Sequence, residues 1–169
     1  PSATNLEIIK THVDFIGSAT EEEIETAVFD ILSHEKLVAE GAAGAGLAVI
    51  RKHPEIFRGT KVGLVLCGGH IDSRTLSTLI LRGLSRAGRL TRLSFEIDDT
   101  PGQLADISRI IGDSGANVVE VIHQRMMQTV SLKEAELEVV IEARDSLHVE
   151  ELVATLKAAG FRVRNRSLI

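Results

Sequence analysis

Two short stretches hold the residues that could do chemistry. The first is Cys67-Gly68-Gly69-His70-Ile71-Asp72. Two adjacent glycines let a backbone come close to a ligand. If a helix begins just after them, its first N–H groups favour anionic or electron-rich atoms. The same pair also serves as nothing more than a tight strand-to-helix connection. Cys67 can be read as a weak neutral donor or as a small buried hydrophobe. The second stretch is Val38-Ala39-Glu40-Gly41-Ala42-Ala43-Gly44-Ala45-Gly46, with Glu40 its only charge. Each Gly costs a helix roughly 0.5–1 kcal/mol against Ala, so a run of small residues implies a close neighbour. That neighbour is either a sheet under the helix or a flat ligand, with Glu40 and Gly41 beside it. No metal site is expected. His12, His34, His53, His123 and His148 show no ligand spacing. Glu21-Glu22-Glu23 after Thr20 is a capping box at a helix start. No nucleophile–base pair stands out.

The elements that must position these residues follow from hydrophobic patterning. Val62 to Leu66 is a continuous apolar run, which predicts a strand buried on both faces, as in a parallel sheet. It feeds the glycine turn and a helix from about Ser73 with Leu76, Leu79, Ile80 and Leu84 at helical spacing. That order places a site at the carboxyl end of a sheet. Gly88 stops the helix. Upstream, Leu6, Ile8, Ile9 and Val13 predict an amphipathic helix capped by Thr4 or Asn5, and Val13 to Ile16 a short strand. Ile24, Ala27, Val28, Ile31 and Leu32 mark the buried face of a helix running to about Ser33.

From residue 90 the pattern changes. Leu93, Phe95 and Ile97 alternate with polar residues, as do Val119, Val121 and His123, and Ala135, Leu137, Val139 and Ile141. Helices are predicted through Leu104–Ile111 and Val149–Leu156, with Asp145 or Ser146 capping the second. A short strand is predicted over Phe161–Arg164, and Thr129–Lys133 reads as a polar turn. The order βαββαβ is the ferredoxin-like pattern. Its free edges are commonly covered by a second copy.

The 169 residues suffice for two small domains, and 44% hydrophobic content excludes disorder as the starting assumption. A net charge of −5 argues against nucleic-acid binding. No run approaches the roughly 18 apolar residues of a membrane span. A single cysteine and no visible leader point to the cytoplasm. The chain begins with Pro1 rather than Met, as a processed or excised piece would.

Two resemblances converge on these observations. Residues 90–169 resemble an ACT domain, an amino-acid-sensing module, through Asp99-Thr-Pro-Gly-Gln-Leu104 and Gly115-Ala-Asn-Val-Val-Glu-Val121. Residues 1–89 resemble the end of the catalytic domain of threonine dehydratases (threonine ammonia-lyases). That likeness rests on Val13-Asp14 leading into Thr20-Glu-Glu-Glu-Ile24, on Val38-Ala-Glu-Gly-Ala-Ala-Gly-Ala45 and on Cys67-Gly-Gly-His-Ile-Asp72. The family usually has Ser where this chain has Cys67, although related serine dehydratases also use Cys. It has Asn where this chain has His70.

The implied fold class is α/β plus α+β: the C-terminal part of a pyridoxal-phosphate fold-type II (tryptophan synthase β-like) domain, then a ferredoxin-like ACT domain. The implied activity is deamination of threonine or serine with pyridoxal phosphate. Cys67, Gly68, Gly69, Glu40 and Gly41 would lie at the cofactor. Pro101, Gly102, Gln103, Leu104, Asn117 and Val118 would form an amino-acid effector site at a homodimer interface. None of Lys10, Lys36, Lys52, Lys61, Lys133 or Lys157 stands in the family's Ser-Phe-Lys context. The chain alone is therefore expected neither to hold the cofactor nor to turn over substrate. The alternative is a free-standing amino-acid-binding or dimerisation module.

Overall fold

The computed structural model describes residues 3–67, 70–98, 100–124, 134–166 and 168. The chain forms two compact units, Pro1–Leu79 and Ile80–Ile169.

The first unit is helical: α1 Ala3–His12, α2 Glu21–Asp30, α3 Gly41–Lys52 and α4 Pro54–Phe57, with α5 Ser73–Arg86 starting within it. Thr20 caps α2 as expected. Its Oγ1 accepts the Glu23 N–H at 3.2 Å, and Glu23 Oε2 accepts the Thr20 N–H at 2.7 Å. Beyond Asp30 the helix widens into a π turn over Ile31–Glu35 and ends at Lys36 in the left-handed region. The helix is thus longer than predicted. The small residues of α3 have a steric cause. A Cβ on Gly44 would meet Val28 Cγ2 at 2.5 Å and the Ile24 carbonyl at 3.0 Å, so α2 lies directly against α3.

Three expectations for this unit fail. Thr4 and Asn5 do not cap α1 but lie inside it, because the helix begins at Ala3. The helix itself forms where predicted, although none of its apolar residues is fully buried. Val13–Ile16 and Val62–Leu66 are not strands. A strand needs a hydrogen-bonding neighbour, and among the described residues this unit contains no other strand to supply one.

The second unit is ferredoxin-like. It comprises β1 Leu90–Asp98, α6 Gln103–Asp113, β2 Asn117–Gln124, β3 Glu134–Glu142, α7 Ser146–Ala158 and β4 Arg162–Arg166. The sheet order is β2-β3-β1-β4, every pairing antiparallel. Alternation sends Leu93, Phe95 and Ile97 inward beside Leu137, Val139 and Ile141, where they meet Ile107 and Ile111 of α6 and Leu152 and Leu156 of α7. Phe95 is fully buried and meets Phe161 edge-on, centroids 6.5 Å apart. The opposite residues of the sheet carry charge pairs: Arg164 with Glu96 at 2.7 Å and Arg92 with Glu138 at 3.4 Å. Asp145, not Ser146, caps α7, accepting the His148 N–H at 2.8 Å. β4 lies one to two residues later than predicted. In β2 a bulge between Val118 and Glu120 shifts the phase, so Val118 and not Val119 shares a side with Val121 and His123. The predicted turn at Thr129–Lys133 lies outside the described residues.

Candidate functional site

In the first unit a cavity of about 430 Å³ opens where α2, the start of α3 and the start of α5 converge. Glu40 and Gly41 form one side, Glu21, Ile24 and Glu25 another, and His70, Asp72, Arg74 and Thr75 a third. Glu40 occupies the N-cap position of α3 with extended backbone, and its side chain makes no capping bond. Gly41 differs from the other small residues of α3. A Cβ there would touch only Ile24 Cγ2, at an ordinary 3.6 Å. Its lack of a side chain leaves the cavity wall open.

Asp72 is held by three hydrogen bonds. Its carboxylate accepts the Thr75 hydroxyl at 2.6 Å and the Thr75 and Arg74 N–H groups at 3.0 and 3.1 Å. These bonds, the Thr75 hydroxyl foremost, hold its pKa below the ordinary 3.8. Asp72 therefore acts as the cap of α5 and fixes the backbone at Arg74 and Thr75. The spacing Asp72-x-x-Thr75 immediately before an apolar helical pattern is a helix-start signature that the reading of the motif as a glycine turn passed over.

The structure brings together Glu40, Gly41 and His70, residues separated by up to thirty positions. It leaves Cys67 exposed and off the cavity lining, its Sγ 3.9 Å from the Val65 carbonyl. Gly68 and Gly69 lie outside the described residues. Among the described residues no group of His, Cys, Asp and Glu has the arrangement of a metal site.

The second candidate site is divided. Pro101 and Gly102 are exposed at the start of α6, where Gly102 takes φ +100° as an N-cap without a side chain. The N–H groups of that first turn therefore have no side-chain acceptor from the cap. Gln103 Nε2 approaches Thr100 Oγ1 at 3.4 Å, and Leu104 is partly exposed. Asn117 and Val118 follow the other end of the same helix. Eleven residues at 1.5 Å each separate the two groups by about 16 Å. One copy of the chain does not bring them together. A separate cavity of about 390 Å³ takes in Gln103 with Glu96, Asp98, Asp106 and Arg162.

The geometry can be set beside known proteins. Over 164 residues, 97% of this chain, the sequence is 35% identical to an L-threonine ammonia-lyase of Thermotoga maritima, covering 41% of that protein. It is 33% identical over 163 residues to an L-threonine ammonia-lyase of Geobacter sulfurreducens, 96% of this chain and 40% of that one. A shorter match, 39% over 64 residues, links 38% of the chain to 20% of a beta-hydroxyaspartate dehydratase of Paracoccus denitrificans. No family model matches. An ACT domain from a GTP pyrophosphokinase of Chlorobium tepidum overlaps 46% of this chain and 96% of its own, with TM-score 0.37 and 13% identity, too loosely to carry an assignment. The chain spans about two fifths of the length of the curated relatives it matches. Across both of its units the chain is similar to the corresponding part of these L-threonine ammonia-lyases.

Proposed function

We propose that the chain is the C-terminal, regulatory part of a pyridoxal-phosphate-dependent threonine (serine) dehydratase. The whole protein converts threonine to 2-oxobutanoate and ammonia. On this reading residues 1–89 finish the catalytic domain, and residues 90–169 sense an amino acid and pair with a second copy. The observation that carries the reading is the single match running through both units over 97% of the chain. A free-standing sensor would account for the second unit alone.

The residues present do not make a complete holder for the cofactor. Among the described residues no lysine lines the cavity beside Glu40 and Gly41, and Cys67 stands outside it. In the whole protein the bound cofactor would supply an electron sink for the elimination. This chain's contribution is narrower. Gly41 leaves room at the wall, and Asp72 anchors the helix that carries Arg74 and Thr75. In the whole protein, Cys67→Ala should change the cofactor absorbance and lower turnover; unchanged spectrum and rate remove Cys67 from the cofactor site.

In the regulatory half of the reading the effector site is shared between two copies. Pro101–Leu104 and Asn117–Val118 lie at opposite ends of α6, so a single ligand can touch both only across two copies. β2 is an edge strand with Val119 and Val121 exposed, which suits edge-to-edge pairing. Calorimetric titration of the chain with the common amino acids should give heat for at least one, and Asn117→Ala should abolish it. Silence towards all of them rejects the sensor.

A further inference from the structure

The second unit buries an imidazole. His148, in the first turn of α7, is 3% exposed. Taking a polar ring out of water costs free energy unless its nitrogens find partners. Both do. Nε2 stands 2.9 Å from the Ser114 carbonyl oxygen. A carbonyl only accepts, so the ring hydrogen is on Nε2. Nδ1 is then bare, and it accepts the Arg144 N–H at 3.3 Å. The two bonds together admit one form of the ring, neutral with its hydrogen on Nε2.

The ring joins two turns that are remote in sequence. Ser114, thirty-four positions before His148, closes α6. The chain then turns at Gly115, φ +84°, and Asn117 opens β2. Arg144 follows the end of β3, where Glu142 is the register partner of Asn117. The links form a closed circuit. It runs along the chain from Ser114 to Asn117, across the sheet to Glu142, on to Arg144, and back through His148. Asn117 is thus fixed from both sides. The strand does not do this alone: the bulge between Val118 and Glu120 interrupts the ladder and separates the first two residues of β2 from the pairing that holds the rest.

We infer that His148 is the positioning residue for the Asn117–Val118 half of the amino-acid site. It acts through the turn at residues 114–116 and not by contact with a ligand. An apolar side chain of similar size would fill the space but leave the Ser114 carbonyl and the Arg144 N–H without their partner. The inference rests on the functional reading above for what Asn117 would hold, but not for where Asn117 sits.

The test uses the 169-residue chain. Nitrogen-15 NMR of the His148 ring near neutral pH should show a hydrogen on Nε2 and none on Nδ1; the other tautomer, or a hydrogen on both, overturns the inference. In His148→Leu, amide exchange at Ala116–Val118 should accelerate at least about tenfold while Phe95 and Leu137 keep their protection. His148→Gln, whose amide can still donate to Ser114, should recover part of the loss. Unchanged exchange in the leucine variant, or equal loss in both variants, overturns the inference. If exchange in the leucine variant rises throughout the unit, that variant has lost the fold and the glutamine variant decides: protection at Phe95 and Leu137 with a partial loss at Ala116–Val118 supports the inference, and any other pattern overturns it. Calorimetric titration with each common L-amino acid separates the inference from the reading beneath it. Heat from the parent chain should weaken at least about tenfold in affinity in the leucine variant, and equal affinity overturns the positioning role. No heat from the parent, with exchange altered as expected, defeats the sensor and leaves the placement of Asn117 by His148 standing.

Discussion

Gly88 shows how one residue's conformation is dictated twice over. Its φ is +65°, and a Cβ there would fall 2.7–2.8 Å from the Ser146 backbone and Cβ. Gly160 has φ +94° but open space around it. Gly160→Ala should therefore cost about 1–2 kcal/mol, the left-handed penalty alone. Gly88→Ala should cost a further 1–3 kcal/mol or so from overlap with the start of α7. Urea denaturation of the two variants compares them directly; equal losses would contradict the packing account. The position of Gly88 was legible from sequence as a helix stop. What Gly88 touches was not, because its neighbour is nearly sixty residues away. The same limit applies to Gly41. Within its run it looked like Gly44, yet Gly44 is pressed against α2 while Gly41 faces a cavity.

At the scale of elements, patterns that are satisfied locally read through, and those that need a distant partner did not. The capping box at Thr20 and Glu23 and the alternation of β1 and β3 appear as expected, since short-range bonds or one shared core suffice. The apolar run Val62–Leu66 has the composition of a strand but lacks strand neighbours within its unit. The β2 bulge reversed a face that strict alternation had assigned. The helix starts also carry a pH dependence. Glu23 is held below its ordinary 4.5, first by the Thr20 N–H and then by Lys52. Asp72 is held below 3.8 by Thr75 and Arg74. For carboxyls lowered on folding, the stabilisation is fully present above the unfolded-state values and is lost as pH falls through the folded ones. Helical circular dichroism of the chain should therefore hold near neutrality and decline below pH 4.5 and further below 3.8. Glu23→Gln with Asp72→Asn should flatten that acid limb; an unaltered limb would assign it to other groups.

At the scale of the whole molecule, the two units differ in self-sufficiency. The second closes a core around Phe95, Ile107, Leu137 and Leu156, each fully buried. The first leaves Val13, Phe15, Ile16, Leu37, Val38 and Val65 exposed. The ferredoxin-like half could be read from sequence because its contacts lie within itself. The candidate site could not, because the cavity beside Glu40 and Gly41 draws its walls from three separated stretches and leaves Cys67 off its lining. The central claim is that this chain holds one wall of a catalytic site and the regulatory half of a lyase. It is tested most directly by assaying the purified 169-residue chain with pyridoxal phosphate and threonine, with the whole protein as control. The account predicts ammonia from the whole protein and none from the chain alone, with no coenzyme absorbance retained after desalting. Coenzyme retention and steady ammonia release by the chain alone would contradict it.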